Sequence, residues 1–284
     1  MKRHAKTGLL ASLLMVLLLW APAAPASVMV LVHGYLGDGQ GFHRAGVVDA
    51  LDAGGWHYGG NWRPAPDGRV RLVGDAGTGE RTVYTVNLPA TAPLALQADW
   101  LTAMRRAAEQ RHPDEPITLV GHSAGGVVAR LALVRGGQGA VEHLITIASP
   151  HLGTERALQA LQATNSGGMF GPFRQILTRQ ALGSSNYEAI RQSQALLLDL
   201  APPHRGNLLG WLNVQEHPEI TYDAVVRNTG FRMGGDILIP AWSQDLNQVP
   251  ALRGRASVIA SPLGHSLDAT DVRVILERIA ARAG

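Results

Sequence analysis

The chain has 284 residues, 46% of them hydrophobic and 17% charged, which is enough apolar surface for one sizeable core and excludes a largely disordered chain. It has no cysteine, which excludes disulfides, thiolate nucleophiles and thiolate metal sites. The formal net charge of +3 comes from residues 1–26, which carry Lys2, Arg3 and Lys6 and no acid; the remainder holds 22 basic and 22 acidic residues, a balance that gives no support to nucleic-acid binding.

Residues 1–26 read as an export signal. A positive start is followed by an apolar run from Leu9 to Trp20, too short to read as a membrane span, and Ala24-Pro25-Ala26 fits a small-residue cleavage site. Cleavage after Ala26 would leave residues 27–284 as a secreted or periplasmic chain. The alternative is an uncleaved N-terminal anchor.

Val28 to Val32 is a continuous apolar run, as expected of a strand buried on both faces in a parallel sheet. The loop His33-Gly34-Tyr35-Leu36-Gly37-Asp38-Gly39 follows. A helix is expected over 42–53. Residues 54–80 are rich in glycine and proline, with a hairpin strand at 69–73. A strand at 82–88 leads to a helix over 95–110, with Leu96, Trp100, Leu101 and Met104 on one face. A strand from Ile117, a turn at Ser123 and a helix come next, then a strand at 144–148 ending in Ser149-Pro150-His151-Leu152-Gly153. Strands alternating with helices predict an α/β fold with a mostly parallel, doubly wound sheet. From 154 to 219 the pattern turns helical and reads as a cap or lid inserted between strands, its best helix over 188–200. Strands return at 220–226 and 256–260, and a closing helix over 271–283 buries Val272, Ile275, Leu276 and Ile279.

The most informative stretch is Gly121-His122-Ser123-Ala124-Gly125. A G-x-S-x-G turn between strand and helix lifts a serine hydroxyl above the sheet, where helix N–H groups can face a developing oxyanion. Gly121 and Gly125 relieve backbone crowding. A serine hydroxyl needs a base to take its proton and an acid to orient that base. With this turn the acid and then the base follow the serine in sequence. Of eleven histidines, His265 alone follows the last strand, just before the closing helix; His122 occupies the x position and is expected to point elsewhere. Asp236 lies between strand 220–226 and His265 and is the candidate acid, with Asp199, Asp223 and Asp245 as rivals. Ala124 and Tyr35 are the expected oxyanion N–H donors, and His33 is expected to hydrogen-bond loop carbonyls.

Together Leu31-Val32-His33-Gly34-Tyr35-Leu36-Gly37, Gly121-His122-Ser123-Ala124-Gly125-Gly126, Ser149-Pro150-His151-Leu152-Gly153, Asp236 with Pro240, and Gly264-His265 resemble the α/β-hydrolase superfamily, and within it bacterial triacylglycerol lipases and esterases. The resemblance implies ester hydrolysis through an acyl-enzyme, with Ser123, Asp236 and His265 as catalytic residues and a small-molecule or lipid ester as substrate, in transient contact with a lipid surface. It implies no cofactor. Some such lipases bind calcium through an aspartate two residues after the histidine. That position is Leu267 here, so no metal is carried over. Acyltransferase or thioesterase chemistry uses the same residues, and a non-catalytic hydrolase-like binding protein is the reading from another class. In the cap, Leu196, Leu197, Leu198 and Leu200 exceed one helical stripe, so some are expected to face an acyl chain.

Overall fold

β1 (Ser27–Val32) shows why the central strands read as unbroken apolar runs. Side chains alternate across a strand. Val28, Val30 and Val32 enter one apolar layer, Met29 and Leu31 the other, and all five are at most 1% exposed. In this computed structural model residues 27–164, 188, 190–229 and 234–283 are described. Residues 1–26, expected to be an export signal, and residues 165–187 and 189 of the expected cap lie outside the described residues.

The order continues with α1 (Gln40–Arg44), α2 (Val47–Ala53), β2 (His57–Pro64), β3 (Val70–Val73), β4 (Arg81–Val86), α3 (Leu94–Arg111), β5 (Ile117–His122), α4 (Ala124–Gly136) and β6 (Val141–Ile147). After β6 come α5 (Glu155–Thr164), α6 (Gln194–Asp199) and α7 (Leu208–Leu212), then β7 (Thr221–Arg227), α8 (Ala241–Gln244), β8 (Ala256–Ser261) and α9 (Asp271–Ala283). The strands form one eight-stranded sheet in the order β3-β2-β4-β1-β5-β6-β7-β8. β2 and β3 pair antiparallel and every other neighbouring pair is parallel.

Helices cover both faces. α3 and α4 pack on the layer containing Val28, Val30 and Val32 through Leu94, Ala98, Leu101, Met104, Val127 and Leu131. α1, α2 and α9 cover the other layer through Phe42, Val48, Leu51, Val272 and Ile275. The helices between β6 and β7 are an insertion into the sheet order. β1 lies between β4 and β5, where the strand order reverses. In open α/β sheets the crevice at the carboxyl ends of such strands is where ligands bind.

Four local expectations change. The helix expected over 42–53 is two helices, because Gly46 takes a left-handed φ of 69° and turns the chain between them. The glycine-rich stretch contains β2 as well as the expected β3. On α3, Leu96 is 46% exposed, and Leu94 with Ala98 takes the inward face instead. The helix expected over 188–200 is interrupted by a turn at Ser193. Leu196, Leu197 and Leu200 are packed in the core, and Leu198 faces outward, 57% exposed.

Candidate active site

Four loops at the carboxyl ends of the strands build the site. Ser123 sits between β5 and α4 with φ 53° and ψ −129°. A non-glycine residue in that region carries strain of roughly 1–3 kcal/mol and is held there by its surroundings. Those surroundings are tight: a Cβ on Gly125 would collide with the carbonyl oxygens of Val32 and His33, and one on Gly34 would lie 2.8 Å from the Ser123 Cβ. The loop after β1 is thereby pressed against the serine.

Ser123 Oγ is 3.0 Å from His265 Nε2, and His265 Nδ1 is 2.9 Å from Asp236 Oδ2. An ionised carboxylate only accepts, so Nδ1 carries the imidazole proton and Nε2 is free to accept from the serine hydroxyl. His265 reaches this place on the loop between β8 and α9, and Asp236 on the loop between β7 and α8. The three residues singled out in the sequence thus meet. Asp236 Oδ1 accepts from the backbone N–H groups of Leu238 and Ile239 at 2.7 and 2.8 Å. Burial opposes its charge, but the hydrogen bond and charge of His265 and those two N–H groups outweigh it, holding the carboxyl below its ordinary value. Asp236 is ionised at neutral pH.

The rival acids are engaged elsewhere. Asp199 accepts from Leu94 N at the start of α3, Asp223 pairs with His143 and Arg278, and Asp245 accepts from Asn247 N.

Tyr35 and Ala124 flank Ser123 from the β1 loop and the first position of α4. The first N–H groups of a helix lack intrahelical partners and face outward along its axis. His33 has a different task. Its Nε2 accepts from Leu88 N at 2.9 Å, so its Nδ1 donates to Gly34 O, also at 2.9 Å. Burial, partly offset by the Gly34 carbonyl, lowers its pKa below the ordinary value, so the ring stays neutral. It pins the chain just before Tyr35.

The sequence reading placed His122 pointing away. The structure turns it toward His265 instead: its Nε2 donates to the His265 carbonyl oxygen at 2.8 Å, and the two ring centroids are 5.3 Å apart. Arg227 was also missed. Fully buried, it binds both oxygens of Asp271 at 2.7 and 2.8 Å and the Ser261 hydroxyl at 2.8 Å, clamping both ends of the loop that carries His265. Neither role has a local signal, because each partner lies in a distant stretch of sequence.

A pocket of about 600 Å³ opens beside Ser123 and His265, lined by Tyr35, Leu36, Phe42, Ala45, Leu238 and Leu267 among others. Its described lining includes no residue from 154–219. The lining is mainly apolar, and the Asp38–Arg44 ion pair also borders this space.

Comparison with known proteins agrees with this architecture. The model of a PGAP1-like alpha/beta domain matches residues 94–166, from α3 past β6. No curated protein matches the chain in sequence. The Bacillus licheniformis lipase BlEst2 in its mature form aligns with a TM-score of 0.53 at 15% identity, over 92% of this chain and 94% of that one. A lipase-esterase related protein from Clostridium acetobutylicum aligns with a TM-score of 0.51 at 14% identity, over 90% and 94%. MenH from S. aureus gives 0.50 at 16%, over 93% and 97%. At such identities the likeness is one of fold: the chain has the α/β-hydrolase fold, a mostly parallel sheet with helices on both faces and helical insertions.

Proposed function

We propose that this chain is a serine carboxylic-ester hydrolase, lipase-like in its apolar substrate pocket. The observation that carries this reading is the unbroken relay from Ser123 Oγ through His265 to Asp236, at 3.0 and 2.9 Å, at the mouth of an apolar pocket. Ser123 Oγ attacks the ester carbonyl carbon as its proton passes to His265 Nε2. Asp236 stabilises the resulting imidazolium and fixes its orientation. The N–H groups of Ala124 and Tyr35 face the oxyanion; one such donor is worth roughly 3 kcal/mol of transition-state stabilisation. His265 then protonates the departing alkoxide, and a water activated by the same imidazole releases the acid from the acyl-serine. No step needs a cofactor.

We propose that residues 1–26 direct export, which fits a role on external esters. We propose cleavage after Ala26, which leaves β1 whole from Ser27.

The test is hydrolysis of soluble acyl esters together with labelling by a serine-directed fluorophosphonate. The wild-type chain is expected to do both and Ser123→Ala neither, with an unchanged fold. Absence of labelling and turnover in the wild type would assign the fold to a non-catalytic binder. Preferential transfer of the acyl group to an added alcohol or amine would assign it to acyl transfer.

A further inference from the structure

Gln244, the last residue of α8, is 1% exposed and reaches Asp236 Oδ2, the oxygen that also accepts from His265. Three partners orient its amide. Oε1 accepts from the backbone N–H of Arg227 at 2.8 Å, while Nε2 donates to Ile239 O at 2.8 Å and to Asp236 Oδ2 at 3.3 Å. A flipped amide would set its oxygen against a carbonyl and a carboxylate and its NH2 against an N–H, so only one orientation satisfies all three.

With Gln244 counted, the Asp236 carboxylate receives four donors: Leu238 N and Ile239 N on Oδ1, and Gln244 and His265 on Oδ2. A carboxylate has about four lone-pair sites, so Gln244 fills the last. It also shares the same oxygen as His265. A second donor on Oδ2 both restrains rotation of the carboxylate, whose terminal torsion is intrinsically soft, and draws charge away from the bond to the imidazole. Gln244 further ties the two loops together. Arg227, whose backbone N–H it accepts, is the residue whose guanidinium clamps Ser261 and Asp271 around His265.

We propose that Gln244 is a positioning residue for the hydrolysis, holding the Asp236 carboxylate in the plane of His265 and limiting the charge it presents there. The inference rests on the ester-hydrolase reading. Acting through Asp236, Gln244 should matter only while Asp236 can act.

The experiment compares Gln244→Met in the wild-type and Asp236→Asn backgrounds. It follows kcat, KM, the pH profile of kcat/KM on a soluble ester, and the fluorophosphonate labelling rate where turnover is slow. In the wild-type background kcat should fall about 10- to 100-fold with KM within about twofold, and the acid limb should move to higher pH, because a less shared carboxylate favours the protonated imidazole. In the Asp236→Asn background the same substitution should change the rate less than about twofold. Equal losses in both backgrounds, or an unmoved acid limb, would overturn the proposal. Gln244→Leu likewise removes the donor to Asp236 without adding a charge, and serves the same comparison if the Met variant does not fold; failure of both to fold assigns Gln244 a purely structural role and also overturns it. Wild-type protein that hydrolyses no ester, or Asp236→Asn at full activity, would instead remove the underlying hydrolase reading.

Discussion

His122 and His265 are joined by a bond from the imidazole Nε2 of one to the backbone carbonyl of the other, 2.8 Å long across 143 residues of sequence. The residue next to Ser123 therefore helps hold the loop that carries His265. Burial is the largest influence on His122 and takes its pKa down to about 4, so its ring is neutral at working pH. It acts as a fixed hydrogen-bond donor and brings no second charge near His265.

His122→Phe should keep the packing against His265 and lose the bond. The expected result is a kcat about tenfold lower, equivalent to about 1.4 kcal/mol, with KM nearly unchanged and a modest drop in Tm. Steady-state kinetics on a soluble ester checks it; an unchanged kcat would show that the loop holds His265 without His122.

The backbone of Ser123 yields a prediction independent of activity. Its φ of 53° and ψ of −129° strain alanine as much as serine, whereas glycine tolerates positive φ. Ser123→Gly and Ser123→Ala should both be inactive, yet the glycine variant should be the more stable by about 0.5–2 kcal/mol after its greater unfolded-state entropy is subtracted. For a domain of this size that is a few degrees of Tm. Scanning calorimetry giving equal or reversed Tm values would mean that the turn stores no such strain.

How far the sequence carried the reading depends on where each residue finds its partners. β1 was legible because a strand covered on both faces is apolar along its length, β5, β6 and β7 because each keeps a shorter apolar run despite buried polar residues such as His143 and Asp223, and α9 because its apolar spacing and bounds are intact. That Ser123, Asp236 and His265 come together was legible because motif, chain order and loop position constrain each one separately. β2 was not: Gly59-Gly60 and a register shift against β4 between Tyr58 and Gly60 break its alternation. His122, Arg227 and Gln244 carry no local pattern at all. Each is defined by an acceptor or donor on another loop, and only the closed sheet brings these loops together. The four cap leucines divide between two environments, Leu196, Leu197 and Leu200 packing in the core and Leu198 standing exposed, a division that their spacing alone does not assign residue by residue.

Arg130 sets up a pH dependence of stability. It is fully buried in α4; its Nη1 reaches His151 Nδ1 at 3.2 Å, its Nε reaches His217 Nε2 at 3.3 Å, and its Nη2 reaches Asn213 Oδ1 at 2.9 Å. A guanidinium only donates, so both facing imidazole nitrogens must be unprotonated. The protons sit on the far nitrogens, on bonds to Thr146 Oγ1 and Gln215 O. Burial first, and then the Arg130 charge, take His217 down to about 4 and His151 well below its ordinary value. Tyr222 and Arg255 are the other titratable groups that act on this cluster. The unfolded histidines titrate near 6.5, so the stabilisation is fully present above that pH and is lost as pH falls through 6.5 toward 4. Each histidine contributes a slope of about 1.4 kcal/mol per pH unit in that window. Urea midpoints should be flat from pH 7 to 8 and fall below 6.5. His217→Gln should lower stability at pH 7.5 yet flatten the acid slope; an unaltered slope would take His217 out of the account.

Asp199 links the insertion to the sheet's helical layer by accepting from Leu94 N, the first N–H of α3. An acid at a helix N-terminus is favoured by the macrodipole and satisfies an otherwise unpaired donor. Asp199→Ala should therefore cost about 1 kcal/mol of stability, read as a lower Tm, with kcat/KM on short esters unchanged. A large loss of activity at unchanged Tm would mean that Asp199 acts on the site itself.

Chain-length preference should be set by the pocket at Ser123. Leu196, Leu197 and Leu200 are at most 5% exposed within the core, and none of them lines that pocket. Truncating Leu196 to alanine removes packed core volume, so it should cost about 2–5 kcal/mol of stability while leaving the ratio of kcat/KM for long and short esters where it was. Leu238 and Leu267 line the pocket from the loops that carry Asp236 and His265, and Leu36 from the loop after β1. Leu267→Ala should enlarge the space for the ester's apolar arm and shift the long-to-short ratio by roughly 1–3 kcal/mol, about 10- to 200-fold. Leu238→Ala, 42% exposed in the parent chain, should shift it less, because part of that contact area already faces solvent. The measurement is kcat/KM on a graded series of acyl esters for each variant, with Tm alongside. A shift with Leu196→Ala and none with Leu267→Ala would move the selecting surface from this pocket to the helices inserted between β6 and β7.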